Sequence, residues 1–243
     1  GWESDEPTDA ERKETAKQLS GRFNREVTAP RIPKIDEFEL RKPRLTIPDS
    51  LSGVVSSDHD ERVIHTYGGH FLELNRALRG DFSDPPDAVA YPETESELES
   101  VLDWCNSNDH VVIPYGGGTT VVEGVSVPAS AETAVTIDME RLNKVLEIDE
   151  TSRAARIQAG IFGPDLETAL RPKGYTLRHF PQSFPWSTLG GWIVTRSGGH
   201  YATNHTHIDD FVESLRMITP QGWWESRRLP GSGAGPSPDR LVI

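Results

Sequence analysis

A single cysteine, Cys105, leaves this chain without the means for an intrachain disulfide or for a cysteine-built zinc or iron–sulfur centre. Basic residues are also scarce: 25 lysines and arginines stand against 38 aspartates and glutamates, a formal net charge of -13. Nucleic-acid phosphates call for clustered Lys and Arg, so nucleic acid is not an expected partner; a solubilising acidic surface is the plainer reading. No apolar run approaches the roughly 18 residues of a membrane-spanning helix. The chain opens Gly1-Trp2-Glu3-Ser4-Asp5-Glu6 with no apolar signal segment, and the expected location is cytoplasmic.

What is present is enough for a folded domain: 35% hydrophobic residues and 8% aromatics, in spite of a mean hydropathy of -0.52. Residues 1–60 differ from the rest, with alternating charges at Glu11-Arg12-Lys13-Glu14 and breaks at Pro30, Pro33, Pro43 and Pro48. They read as one short helix followed by an extended arm. The spacing predicts a helix over His70–Arg79, with Phe71, Leu74 and Leu78 on one face and Gly80 as its stop. Thr94 and Glu97 form a capping box, and Leu98, Val101, Leu102 and Cys105 follow at helical spacing. Strands are expected at Val111–Ile113, Val135–Asp138, Lys144–Ile148, Ala155–Ala159, Tyr175–Phe180 and Val212–Thr219. Between them, Pro164 opens a helix, and Ser187 or Thr188 caps another reaching Arg196. Pro220 and Gly222 suit a tight turn into Trp223-Trp224-Glu225, and Pro230–Pro236 reads as a flexible loop. The pattern is α+β, a small α/β unit followed by a more antiparallel part.

Pro114-Tyr115-Gly116-Gly117-Gly118-Thr119-Thr120 ends the Val111 strand. Consecutive glycines permit positive φ and close backbone approach. Free N–H groups in such a bend form a concave nest for anions, with the threonine hydroxyls as further donors, a chemistry suited to a pyrophosphate. A plain turn is the other reading of a triglycine run. A P-loop is excluded because no Gly-Lys-Ser/Thr follows, and the Rossmann fingerprint lacks its third glycine, where Val121 stands.

The company this loop keeps is more specific. Pro86-Asp87-Ala88-Val89-Ala90-Tyr91-Pro92 leads through Glu97 and Val101 to Val112-Ile113-Pro114 and the glycines. Thr136-Ile137-Asp138, Leu142-Asn143, Gln158-Ala159-Gly160 and Gln182-Ser183-Phe184-Pro185-Trp186-Ser187-Thr188-Leu189-Gly190-Gly191-Trp192 follow in order. Thr195-Arg196-Ser197-Gly198, Asp209-Asp210-Phe211-Val212 and Thr219-Pro220-Gln221-Gly222 complete the series. This series resembles the FAD-binding domain of the vanillyl-alcohol-oxidase and p-cresol-methylhydroxylase superfamily, and within it the alkyldihydroxyacetonephosphate synthase branch and bacterial FAD-linked oxidases. The resemblance implies a two-subdomain FAD-binding fold over residues 61–243, incomplete at its C-terminus and without the cap domain that binds substrate. It implies non-covalent FAD, since the pyrophosphate loop carries Thr119 where some members carry a linking histidine.

By the same resemblance, Pro114, Tyr115, Gly116, Gly117, Gly118, Thr119 and Thr120 embrace the pyrophosphate. Gln182, Ser183, Ser187, Thr188 and Gly191 form a second flavin-contacting segment, and Thr195, Arg196 and Ser197 a third. Arg196 could offset pyrophosphate charge, or form an ion pair or a helix C-terminal contact instead. Arg228 matches an arginine that the synthase branch carries near its substrate. The implied partner is a small-molecule or lipid-precursor substrate, and loss of a cap would favour self-association. The alternative is a non-catalytic nucleotide-binding or interaction module. His200, His205 and His207 cluster, but no carboxylate–histidine spacing of a zinc hydrolase accompanies them, and no metal is expected.

Overall fold

The computed structural model describes residues 7–29, 31–199, 207–228 and 239. The chain divides into two compact units, Gly1–Phe38 and Glu39–Ile243. In the first, α1 (Asp9–Phe23) starts at a Thr8/Glu11 capping box and stops at the left-handed Asn24. An extended stretch and one 3₁₀ turn, Ile35–Glu37, follow.

The second unit begins earlier than the boundary near residue 60 expected from composition, because residues 39–60 supply core and ion pairs. Leu51 and Val55 are buried in the main core. Arg41 and Arg44 both grip the carboxylate of Asp87, whose side chain is fully buried. That carboxylate also accepts the N–H groups of Arg44 and Ala134, each at 2.9 Å.

In chain order this unit contains β1 (Val55–Ser56), α2 (His59–Ile64), α3 (Phe71–Leu78), β2 (Ala88–Ala90), α4 (Glu95–Ser107), β3 (Val111–Tyr115) and β4 (Ala134–Asp138). The sheet order is β1-β2-β4-β3, with β2, β4 and β3 parallel and β1 antiparallel at the edge. Ala88, Val89, Ala90, Val135 and Thr136 are wholly inaccessible, as expected of short parallel strands covered on both faces. α4 lays Leu98, Val101 and Cys105 on that sheet, and its capping box forms as the spacing predicts.

The remaining elements are β5 (Val145–Asp149), β6 (Ala154–Ile157), α5 (Gly163–Leu170), α6 (Leu189–Val194), β7 (Arg216–Thr219) and β8 (Gly222–Glu225). β5–β6 and β7–β8 are separate antiparallel pairs. A second core of Ile161, Leu166, Leu170, Phe184, Leu189, Trp192 and Ile208 joins α5 and α6. The α/β part followed by an antiparallel part is the architecture expected.

Three local expectations change. Tyr175–Phe180 forms no strand: Arg178 sits at φ 60, and Leu177 N–H bonds the Glu167 side chain at 3.0 Å instead of a ladder. The strand expected from Val212 starts only at Arg216. α3 forms where predicted but inverted, with Phe71, Leu74 and Leu78 exposed and Glu73 buried against the Ser126 hydroxyl. Pro230–Pro236 lies outside the described residues.

Candidate functional site

Parallel strands end with their carboxyl edges aligned, Tyr115 of β3 beside Asp138 of β4, and the glycine loop leaves from that edge. Open α/β sheets bind ligands there because the outgoing loops expose unpaired backbone groups. The loop is pressed against the segment before α6. A side chain at Gly117 would run into the Trp186 carbonyl, and one at Gly116 into the Thr188 hydroxyl. Gly118 takes φ 63, and the space its side chain would need is filled by the Tyr115 hydroxyl. Glycine here is a steric requirement.

Among the described residues, the N–H groups of Gly116, Gly117, Gly118, Thr119 and Thr120 donate no hydrogen bond. The loop is fixed through its carbonyls instead: Gly69 N–H donates to the Thr120 oxygen at 2.9 Å, and Gly68 packs on the Thr120 and Val125 methyls. Five undonated N–H groups in a row, held on a rigid edge, make a cradle for an anion. The Tyr115 hydroxyl adds a donor, since burial pushes its pKa up to about 12 and keeps it protonated.

An open groove of about 630 Å³ adjoins the loop, lined by Thr119, Val121, Pro181, Gln182, Ser183, Trp186 and Gly199. It joins the glycine loop to the second expected segment. Not every expected residue faces it. The Ser187 hydroxyl is buried and saturated: it donates to the Ser183 carbonyl at 2.8 Å and accepts from Ser183 Oγ at 3.0 Å and Trp192 Nε1 at 2.6 Å. Thr188 caps α6 by accepting from Gly191 N–H at 3.3 Å, and Thr195 Oγ1 donates to the Gly191 carbonyl at 2.7 Å. Ser187, Thr188, Gly191 and Thr195 are thus bonded to one another and to their neighbours in the groove wall.

Arg196, at φ 52 beyond α6, donates to Asp209 Oδ2 at 2.8 Å, and that guanidinium holds the Asp209 carboxyl below its usual range. An ion pair is one of the roles open to it from the sequence. Ser197 Oγ lies 3.1 Å from His179 Nε2, tying the third segment to the strip entering the groove. Arg228 differs from expectation: it bonds Asp149 at 2.9 Å and Glu213 at 3.4 Å, so its charge is spent joining the β5–β6 turn to the strip before β7. His200 and His205 lie outside the described residues, and His207 is exposed. Among the described residues no cluster of three His, Cys, Asp or Glu side chains could hold a metal.

Sequence reading missed the Gly68-Gly69 buttress, for which the glycine pair before α3 was the available signal. It also missed Trp186, half exposed at the groove, and the buried pair behind the loop, His65 and Asp138, at 2.9 Å.

The FAD binding domain family profile matches residues 86–226, which contain the glycine loop and the whole groove wall. Alkyldihydroxyacetonephosphate synthase of Dictyostelium discoideum is 36% identical over 207 residues, covering 85% of this chain and 33% of that protein. An FAD-linked oxidoreductase of Escherichia coli (strain K12), itself uncharacterized, is 29% identical over 205 residues, covering 82% and 42%. A solved structure of alkyldihydroxyacetonephosphate synthase superimposes with a TM-score of 0.80 at 32% identity, over 87% of this chain and 41% of that one. The chain therefore spans from about a third to just over two fifths of these relatives. Among the described residues no helix is long and apolar enough to cross a membrane. The profile covers more than half of the chain, and the chain belongs to the FAD-binding domain family, with FAD as its cofactor.

Proposed function

We propose that this chain is the cofactor-holding portion of an FAD-dependent enzyme similar to alkyldihydroxyacetonephosphate synthase. The observation that carries this reading is the row of undonated N–H groups from Gly116 to Thr120 beside the groove of Gln182 and Ser183. These groups suit the two negative charges of a diphosphate, and the Thr119 and Tyr115 hydroxyls can add bonds without adding charge. The Gln182 amide and the Trp186 indole N–H are further side-chain donors of the groove, and Ser183, whose hydrogen goes to Ser187, offers an acceptor oxygen. Trp186 also offers an apolar face there. When bound, FAD supplies a ring that accepts a hydride, and the protein's part is to bind, orient and shield it.

Attachment is non-covalent in this reading, because the glycine loop carries Thr119 where a linking histidine would stand, and among the described residues the groove lining includes no histidine or cysteine. The substrate class follows the synthase relative, a lipid-precursor glycerone phosphate and its alkyl partner. Oxidation of a small hydroxy compound is the second reading, favoured by the FAD-linked oxidoreductase relative. The exposed face of α3, with Phe71 73% accessible and Leu72, Leu74 and Leu78 about it, supports a further covering surface in the working enzyme, another domain or a second copy. A cytoplasmic setting completes the proposal, in keeping with a lone buried thiol.

Titrating the apoprotein with FAD and following the quenching of flavin fluorescence tests the reading. Saturable one-to-one binding, with flavin released intact on denaturation, is expected. Absence of binding overturns the enzyme reading in favour of an interaction module, and flavin retained after denaturation overturns the non-covalent part.

A further inference from the structure

His65 is 3% exposed and lies directly behind the glycine loop. Its Nδ1 is 2.7 Å from the Glu61 carbonyl oxygen, and its Nε2 is 2.9 Å from Asp138 Oδ2. A carbonyl oxygen only accepts, so Nδ1 carries a hydrogen. An ionised carboxylate also only accepts, so Nε2 carries one too, and a ring with both is a cation. Asp138 also accepts the Glu140 N–H, at 2.8 Å on Oδ1.

The groups facing this ring come from four segments. Glu61 lies on its own helix, α2; Asp138 is on β4, with Glu140 just beyond; Tyr91 follows β2 with its ring 5.8 Å away. Arg141 reaches the other ring of that group, 5.1 Å from the Tyr91 centroid. Tyr115, from β3, packs its ring on His65 at 4.5 Å and 60°, an arrangement that favours an imidazolium over a neutral ring. The hydroxyl at the far end of Tyr115 occupies the crook of Gly118. One aromatic ring therefore separates the cation from the anion cradle.

We infer that His65 is held as a buried imidazolium behind the glycine loop and that, through Tyr115, its charge sets the affinity of the loop for the FAD diphosphate; this rests on the cofactor reading above. His65 is a positioning residue in this scheme: it touches Tyr115 and acts through it. Loss of its proton would leave the Asp138 carboxylate uncompensated, which places a net negative charge behind the cradle. A unit change in charge roughly 10 Å from a diphosphate, at an effective dielectric near 20, alters affinity by about tenfold or more. Burial alone would lower the His65 pKa, but the hydrogen bonds to Asp138 and Glu61 outweigh it, and the balance is upward from 6.5. A raised pKa keeps the charge at low and neutral pH and loses it as pH rises, so FAD binding should be tightest on the acid side.

The test measures the FAD dissociation constant by fluorescence from about pH 6 to about pH 9 for the wild type, His65→Gln and Asp138→Asn. Wild-type affinity should fall about tenfold as the pH rises through a midpoint above the ordinary histidine value. His65→Gln should be flat and about tenfold weaker at the acid end. Asp138→Asn should move the midpoint to lower pH. Nitrogen-15 NMR of the apo wild type, which needs no variant to fold, should find both ring nitrogens of His65 protonated below neutrality. A singly protonated ring there, or parallel profiles for wild type and His65→Gln with FAD still binding, would overturn this inference alone. Failure of the wild type to bind FAD at any pH would remove the cofactor reading and this inference with it.

Discussion

β2, β3 and β4 carry the glycine loop on one side of the groove, and the strip from Pro181 to Gly199 closes the other, yet the two are held by different forces. The strands are fixed by apolar burial and by one buried carboxylate, Asp87, that gathers two arginines and two backbone donors. The strip contains a 3₁₀ turn, Phe184–Trp186, and the short helix α6; it shares the second core through Phe184, Leu189 and Trp192, and its polar ties are hydroxyls: Ser187, Thr188, Thr195 and Ser197 each bind a neighbour within it or beside it. A sheet edge set by packing stays rigid when its ligand leaves. In the wall, where the polar ties are hydroxyl bonds, losing one shifts the segment that carries Gln182 and Ser183 while the apolar packing of Phe184, Leu189 and Trp192 remains.

The largest effect should come from the sheet side. Asp87→Ala strands Arg41 and Arg44 and leaves the Ala134 N–H without its acceptor, a loss of about 3–5 kcal/mol in urea unfolding if it behaves as other broken buried pairs do. The hydrogen bonds from Arg44 and Arg41 outweigh burial and hold the Asp87 carboxyl far below its ordinary range. Its folded pKa is therefore below its unfolded one, so its stabilisation is complete above about pH 4 and fades as pH falls. Asp87→Asn should flatten that acid limb, and an unchanged limb would argue that the pair matters little.

Gly117→Ala ranks next, because the new methyl must displace the Trp186 backbone where loop and wall meet. FAD affinity should fall by about a hundredfold, equivalent to about 2.7 kcal/mol, while the sheet keeps its melting behaviour. Binding that survives this change would mean the loop and wall do not act together. Ser187→Ala is the smallest of the three. It unpairs the Trp192 indole N–H and the Ser183 hydroxyl, costing about 1–3 kcal/mol in stability, with FAD binding weakened less than by the glycine change. If it weakened FAD more than Gly117→Ala, Ser187 would be a ligand contact and not a part of the wall.

How much of this could be read beforehand depended on the range of the interactions. The α4 capping box, the Pro164 helix start and the Gly222 turn all rest on residues within four positions of each other, and each formed as the spacing implied. α3 did not, because periodicity gives a stripe but not its direction: the Glu73 side bonds Ser126, 53 residues away, and turns the leucines outward. The Tyr175 strand failed for the same reason, its backbone being claimed by Glu167. In the site, the glycine loop was legible from its own letters, while the bonds that Ser187 and Arg228 make to Trp192 and Asp149 were not.

The amino-acid order by itself determined where chain direction and backbone freedom must change: strand, triglycine bend, capped helices, and a donor-rich loop in an acidic chain. Those properties arise from φ, from hydrogen-bonding capacity and from charge, which neighbouring residues set among themselves. Only the tertiary structure decided which donors remained free. Gly116 to Thr120 keep theirs, Ser187 and Thr195 use theirs up, and His65 meets Asp138 from 73 positions away. Whether a polar group serves a ligand or the fold depends on what packs against it, and that contact is made across the chain, not along it.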